Sequence, residues 1–124
     1  MTKHWLKECS VKIMTPTESS WLAGFIDGEG SICSYMAGRN RNHQAWIISV
    51  VNTDIRALEK CQNITGCGFV RSKSKPKTER HKQIYTWTVT RKRDIKSVCE
   101  QILPYCAIKA EQIQAFMNAW EEPH

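Results

Sequence analysis

Apolar positions change period several times along the chain, and each change marks a new element. Residues 21–26 (Trp-Leu-Ala-Gly-Phe-Ile) form a nearly continuous apolar run, preceded by Thr15-Pro16-Thr17-Glu18. Thr15 suits an N-cap, Pro16 the first helical position, and Glu18 completes a capping box, so a helix is predicted from there to about Gly28. Residues 31–37 read as a strand and 38–42 (Gly-Arg-Asn-Arg-Asn) as a turn-rich loop. Residues 43–51 form a second strand with Trp46, Ile48 and Val50 on one face. Asn52-Thr53-Asp54 starts a helix in which Ile55, Leu58 and Cys61 recur at helical spacing, and Gly66 ends it. Residues 69–73 are a third strand. In a fourth, 84–90, Tyr85, Trp87 and Val89 alternate with Thr86, Thr88 and Thr90. A basic loop, 74–82, lies between them. A helix over about 94–103 turns Ile95, Val98, Cys99 and Ile102 inward, and Pro104 breaks it. A last helix, about 107–120, carries Ile108, Ile113, Phe116, Met117 and Trp120.

The predicted order is αββαββαα. That is an α+β domain with helices packed on one side of a four-stranded antiparallel sheet. The other face is left to Thr, Ser, Arg and Lys, and such a face is ordinarily solvated. Residues 1–14 show no clear period. They read as an N-terminal extension, one helical turn packed by Trp5 and Leu6, ahead of a single domain over 15–124. A chain of 124 residues supplies one core and no second fold.

Charge adds a partner class. Eighteen Lys and Arg against twelve Asp and Glu give a net charge of +6, which favours a polyanion. The distribution is more telling: Arg71, Lys73, Lys75, Lys77, Arg80 and Lys82 share twelve residues with one acid, Glu79, and Arg91, Lys92 and Arg93 follow. The six cysteines contain no C-x-x-C pair and the four histidines are isolated, which argues against structural zinc. Cys61 and Cys99 fall on apolar helical faces and read as small buried hydrophobes. No segment has the length of a membrane span, and residues 1–14 resemble neither a signal nor a transit peptide. A reducing compartment is expected: bacterial or phage-infected cytoplasm, or an organelle that encodes the protein.

Candidate chemistry centres on residues 22–30 (Leu-Ala-Gly-Phe-Ile-Asp-Gly-Glu-Gly), where Asp27 and Glu29 lie among three glycines at the end of the apolar run. Acids at a helix C-terminus are mildly destabilising, and an interior glycine costs about 1 kcal/mol relative to alanine. Both penalties together point to a close backbone approach and an exposed acid, and the acid's natural ligand is a divalent cation. Ser20, Gly24 and Gly28 lie four apart, so a second helix can come close along that stripe.

The run resembles the signature of the LAGLIDADG homing endonucleases. Leu22, Ala23, Gly24, Ile26, Asp27 and Gly30 match it, and Phe25, Gly28 and Glu29 are common variants. The resemblance covers nearly all of the chain after residue 14. It implies a curved four-stranded saddle in the DNA major groove and a dimer centred on the first helix, with Ser20, Gly24, Asp27 and Gly28 at the contact. It also implies that Glu29 binds Mg²⁺ with a backbone carbonyl near Gly28, that Mn²⁺ can substitute, and that Ca²⁺ supports binding without cleavage. Asn52 falls where a Gln or Asn often organises the metal-water network; the bland alternative is a plain N-cap asparagine. Residues 103–109 (Leu-Pro-Tyr-Cys-Ala-Ile-Lys) look like the turn where the family often places a lysine near the active site, so Lys109 is a catalytic candidate. A lysine in a helix's first turn is unfavourable, which fits a specific task.

By alternation, Cys33, Tyr35, His43, Ala45, Ile47, Ser49, Phe69, Arg71, Lys73, Thr86 and Thr88 project from the DNA-facing surface. Arg71 is the candidate for a bidentate guanine contact. Lys75, Lys77, Arg80 and Lys82 suit phosphate contacts, which position without specifying. The resulting expectation is a homodimeric, metal-dependent, site-specific endonuclease that cuts double-stranded DNA at a long pseudo-palindrome. Two rivals remain: a catalytically silent nucleic-acid binder of the same fold, such as an intron maturase with an RNA partner or a regulator, and a protein-binding α+β module.

Overall fold

A computed structural model describes residues 11–73 and 82–120. The elements are α1 (Pro16–Glu29), β1 (Gly30–Ala37), β2 (His43–Asn52), α2 (Ile55–Thr65), β3 (Phe69–Ser72), β4 (Tyr85–Val89), α3 (Lys92–Ile102), a 3-10 turn (Leu103–Tyr105) and α4 (Ala110–Ala119). The order and the α+β class are those predicted. Among the described residues, no helix is long and apolar enough to cross a membrane.

Helix α1 begins at the expected capping box. The Glu18 N–H donates to Thr15 Oγ1 at 3.1 Å, and the Thr15 N–H donates to Glu18 Oε1 at 2.9 Å. Two donors that the first turn would leave orphaned are thereby satisfied. The helix passes directly into β1 at Gly30. A Cβ there would lie 3.1 Å from both Ile26 Cα and Val50 Cγ2, so glycine is what lets the helix end sit down against β2.

The sheet order is β1-β2-β4-β3, antiparallel throughout. Its register pairs Ile32 with Ile48, Ile48 with Val89, and Val50 and Val70 with Trp87, which collects the apolar side chains on one face. Leu22, Ala23 and Ile26 of α1, Leu58 and Cys61 of α2, Ile95, Val98, Cys99 and Ile102 of α3, and Ile113 and Phe116 of α4 complete the core. Trp46 meets Phe116 edge-on with ring centroids 5.3 Å apart. The buried Trp87 indole N–H donates to the Cys67 carbonyl at 3.0 Å, so its polar end costs little.

Tertiary contacts change several sequence-based expectations. Residues 11–14 lie in no helix or strand, and Met14 is buried. The Lys12 N–H donates to Thr65 O at 2.7 Å, and Gln101 holds Met14 N–H and Lys12 O through its side-chain amide. These bonds dock residues 12–14 against α2 and α3; Trp5 and Leu6, where a helical turn is expected, lie outside the described residues. The last helix starts at Ala110 rather than 107, and Ile108 is 68% exposed instead of inward. Ile55, as the first residue of α2, is also exposed. The N-cap of α2 is Asp54, whose Oδ1 accepts the Arg56 N–H at 3.0 Å. Asn52 instead closes β2, and its Oδ1 accepts the Asp54 N–H at 2.8 Å.

Candidate active site

Glu29 is the last residue of α1, Asn52 the last of β2, and Ile84 leads into β4. The ladder brings the three together, because Gly30 pairs with Val50 and Asn52 with Tyr85. An open cleft of about 350 Å³ results, lined by Glu29, Val51, Asn52, Thr53 and Ile84. Two candidates separated in sequence thus share one site. Val51, Thr53 and Ile84 were not singled out from the sequence, although Val51 alternates in phase with Ser49. Glu29 is exposed, while the half-buried Asn52 has its amide oriented by the bond to Asp54.

Among the described residues, no group of three or more His, Cys, Asp or Glu side chains gathers. A hard divalent cation that keeps most of its waters needs only one or two carboxylates, and Glu29 is the carboxylate that lines this cleft. A Cβ at Gly28 would meet nothing within 4 Å, so the backbone there is open to approach.

Asp27 does something else. Its Oδ2 accepts the Ala107 N–H at 2.8 Å, and its Oδ1 accepts those of Ile108 at 3.1 Å and Lys109 at 2.9 Å. The carboxylate is thus engaged within its own chain. Burial opposes its ionisation, but these N–H groups and the Cys106 thiol outweigh that and hold it below the ordinary carboxylate value. Conversely, burial first and then the Asp27 charge push the Cys106 thiol up to about 11. Lys109 is the N-cap of α4 rather than a first-turn residue, and no side chain caps that helix from this position. It is half-buried and does not line the Glu29 cleft, and its N–H is among those Asp27 holds.

The open face of the sheet carries the residues expected there. Cys33 pairs with Ile47, Tyr35 with Ala45, Ser49 and Phe69 with Thr88, and Arg71 with Thr86, all opposite the core face. Tyr35, His43, Arg71 and Lys73 are exposed; Ser49, Thr86 and Thr88 are half-buried. The Arg71 guanidinium stands 5.3 Å from the Phe69 ring centroid. Lys73 extends the ladder by donating its N–H to Ile84 O at 2.7 Å. Hydrogen bonds from the Arg56 side chain and N–H, with a smaller effect from the Lys82 charge, hold Asp54 down to about 2; Lys82 is exposed. Lys75, Lys77 and Arg80 lie outside the described residues.

On α1, Leu22, Ala23 and Ile26 face the core, while Ser20, Gly24 and Gly28 are exposed. A Cβ at Gly24, as at Gly28, would meet nothing within 4 Å. Packing within the single chain gives no reason for glycine at either position.

The sequence pattern of the LAGLIDADG endonuclease family matches residues 22–119. The chain belongs to this family. No curated protein matches it in sequence. Among solved structures, a similar fold appears in the homing endonuclease I-CvuI in complex with its target in the presence of Ca, at 24% identity and a TM-score of 0.70, covering 83% of this chain and 65% of that one. I-CvuI with the I-CreI target in the presence of Mg, described as DNA not cleaved, gives 25% identity and a TM-score of 0.70 over 82% of this chain and 64% of that one. The archaeal intron-encoded homing endonuclease I-Vdi141I complexed with DNA shares the fold at 16% identity and a TM-score of 0.64, covering 82% and 65%. The chain thus spans less than two-thirds of the length of these solved structures, 64% or 65%.

Proposed function

We propose that the protein is a homodimeric, divalent-metal-dependent endonuclease that cuts double-stranded DNA at a long pseudo-palindromic site by phosphodiester hydrolysis. The observation that carries this reading is the convergence of Glu29 and Asn52 on one open cleft, in a LAGLIDADG chain whose sheet presents a polar, basic face. Mg²⁺, when bound, would polarise the scissile phosphate and lower the pKa of an attacking water; Mn²⁺ would replace it, and Ca²⁺ would support binding only.

The chain's own residues do the rest. Glu29 and a carbonyl near Gly28 hold the cation. The oriented Asn52 amide orders water in the cleft. Lys109 offsets charge that develops on the phosphate. Arg71, stacked against Phe69, reads a guanine edge, and Tyr35, His43, Ser49, Thr86 and Thr88 contact neighbouring bases. Lys73 and Lys82, with Lys75, Lys77 and Arg80, contact phosphates. The exposed Ser20, Gly24 and Gly28 stripe meets its own copy across a two-fold axis, which brings two Glu29 carboxylates to the two strands.

The test selects a cleaved site from a randomised duplex library with the wild type in Mg²⁺, then compares Glu29→Gln on that site. The variant should retain affinity in Ca²⁺ and lose cleavage in Mg²⁺. A wild type that cuts no duplex, or a Glu29→Gln variant that cuts at the wild-type rate, refutes the proposal.

A further inference from the structure

We propose that Asp27 is a positioning residue for catalysis, locking the turn that bears Lys109 to the end of the helix that bears Glu29. The inference rests on the endonuclease reading above. Its basis is one carboxylate accepting three consecutive backbone N–H groups, from Ala107, Ile108 and Lys109, at 2.8, 3.1 and 2.9 Å.

Cys106, at the start of that turn, packs against the core and its thiol donates to Ala23 O at 3.9 Å; beyond it, Asp27 is what holds the turn. Residues 106–109 belong to no regular element. Ala107 and Ile108 are exposed, so their side chains give the turn no packed anchor. The start of α4 has no side-chain cap of its own, although the first N–H groups of a helix need acceptors. Asp27, from a distant part of the sequence, supplies acceptors to the three N–H groups that lead into that helix, the last of them its N-cap Lys109. It lies two residues before Glu29, in the last turn of α1. Any shift of that turn therefore moves the Lys109 backbone with it. An acid near a helix C-terminus is otherwise unfavourable, and this bridge gives it a purpose that Glu29 does not share.

Asp27→Asn, Lys109→Met and the double variant separate a positioning role from simple stabilisation. Amide hydrogen exchange of Ala107, Ile108 and Lys109 reports on the bridge without any cleavage. Single-turnover cleavage at saturating target in Mg²⁺, with affinity in Ca²⁺ as the control, reports on its consequence. Asp27→Asn should speed exchange at all three amides, keep affinity, and slow cleavage on the order of 100-fold, the effect of a catalytic group displaced by about 1 Å. The double variant should be no slower than Lys109→Met, because the two residues act through one group. Unchanged exchange, unchanged cleavage, or additive losses in the double variant overturn the proposal. If Asp27→Asn loses its cooperative unfolding transition, Asp27→Ser, which keeps one acceptor, takes its place. Loss of folding in both makes the bridge architectural and also overturns the proposal. A wild type that cleaves no DNA sinks the endonuclease reading instead, and the exchange data then still decide whether Asp27 holds the turn.

Discussion

Replacing Gly24 should change the folding of the chain and its assembly in opposite directions. Gly24 lies in the middle of α1, is exposed, and has nothing within 4 Å of the position of a Cβ. Alanine there should stabilise the isolated chain by about 0.5–1 kcal/mol, from the lower backbone entropy of the unfolded state. In a two-fold helix contact each added side chain occurs twice. Overpacking costs about 1–3 kcal/mol per site, so Gly24→Leu should weaken the dimer by roughly 2–6 kcal/mol, or about 30-fold to 10⁴-fold in dissociation constant. The assay pairs thermal unfolding at low protein concentration with sedimentation equilibrium, with and without target DNA. Gly24→Ala should hold or raise the melting temperature of the monomer. Gly24→Leu should sediment as a monomer and lose double-strand cutting. A fully dimeric Gly24→Leu that cuts both strands would refute the helix contact. A Gly24→Ala monomer less stable than wild type would refute the claim that the position is open.

Three further outcomes follow from the geometry. Gly68→Ala should destabilise the fold by about 2–5 kcal/mol in urea titration, summing left-handed strain and overpacking: Gly68 has φ +82°, and a Cβ would lie 2.5 Å from Trp87 Nε1 and 2.7 Å from Thr88 O. A loss below about 1 kcal/mol would mean that this turn relaxes freely. Arg71→Ala should relax base preference at one position in each half-site at a cost of about 1–3 kcal/mol, and equal weakening on all sequences would make Arg71 a phosphate contact. Burial pushes the thiols of Cys61 and Cys99 up to about 12. Above about pH 9 the unfolded chain releases those protons while the folded chain keeps them, so stability falls with pH by up to about 1.4 kcal/mol per unit for each thiol. Urea midpoints between pH 9 and 11 should therefore decline more steeply in the wild type than in Cys99→Ala, and equal slopes would count against burial of that thiol.

Local signals were legible wherever a few neighbouring residues settle the conformation. Thr15 to Glu18 encode a start to α1 because both capping bonds span three residues. The Tyr85, Trp87, Val89 alternation encodes β4 because the strand period is two. Glu29 could be nominated because a carboxylate among glycines at a helix end is hard to explain by stability alone. The weakest expectations were those that needed a partner far along the chain. Helix α4 looked three residues longer because Ile108 has the right spacing, but Asp27 captures the preceding N–H groups and turns that side chain outward. Residues 11–14 looked detached because they lack a period; they are held by Thr65 and Gln101, which no local pattern reveals.

By itself, then, the sequence determined the order of the elements, the face each strand buries, and the acid at the end of α1. The tertiary structure alone decided that Glu29 and Asn52 share a cleft and that Asp27 serves the Lys109 turn. The reason lies in the range of the interactions. Caps and periodicities act within one turn or one pleat, so adjacent residues contain them. A cleft between a helix end and two strands exists only after the core has set the register of β2 against β1 and β4. That register depends on the packing of Ile48, Val50 and Trp87 together, which no single segment encodes.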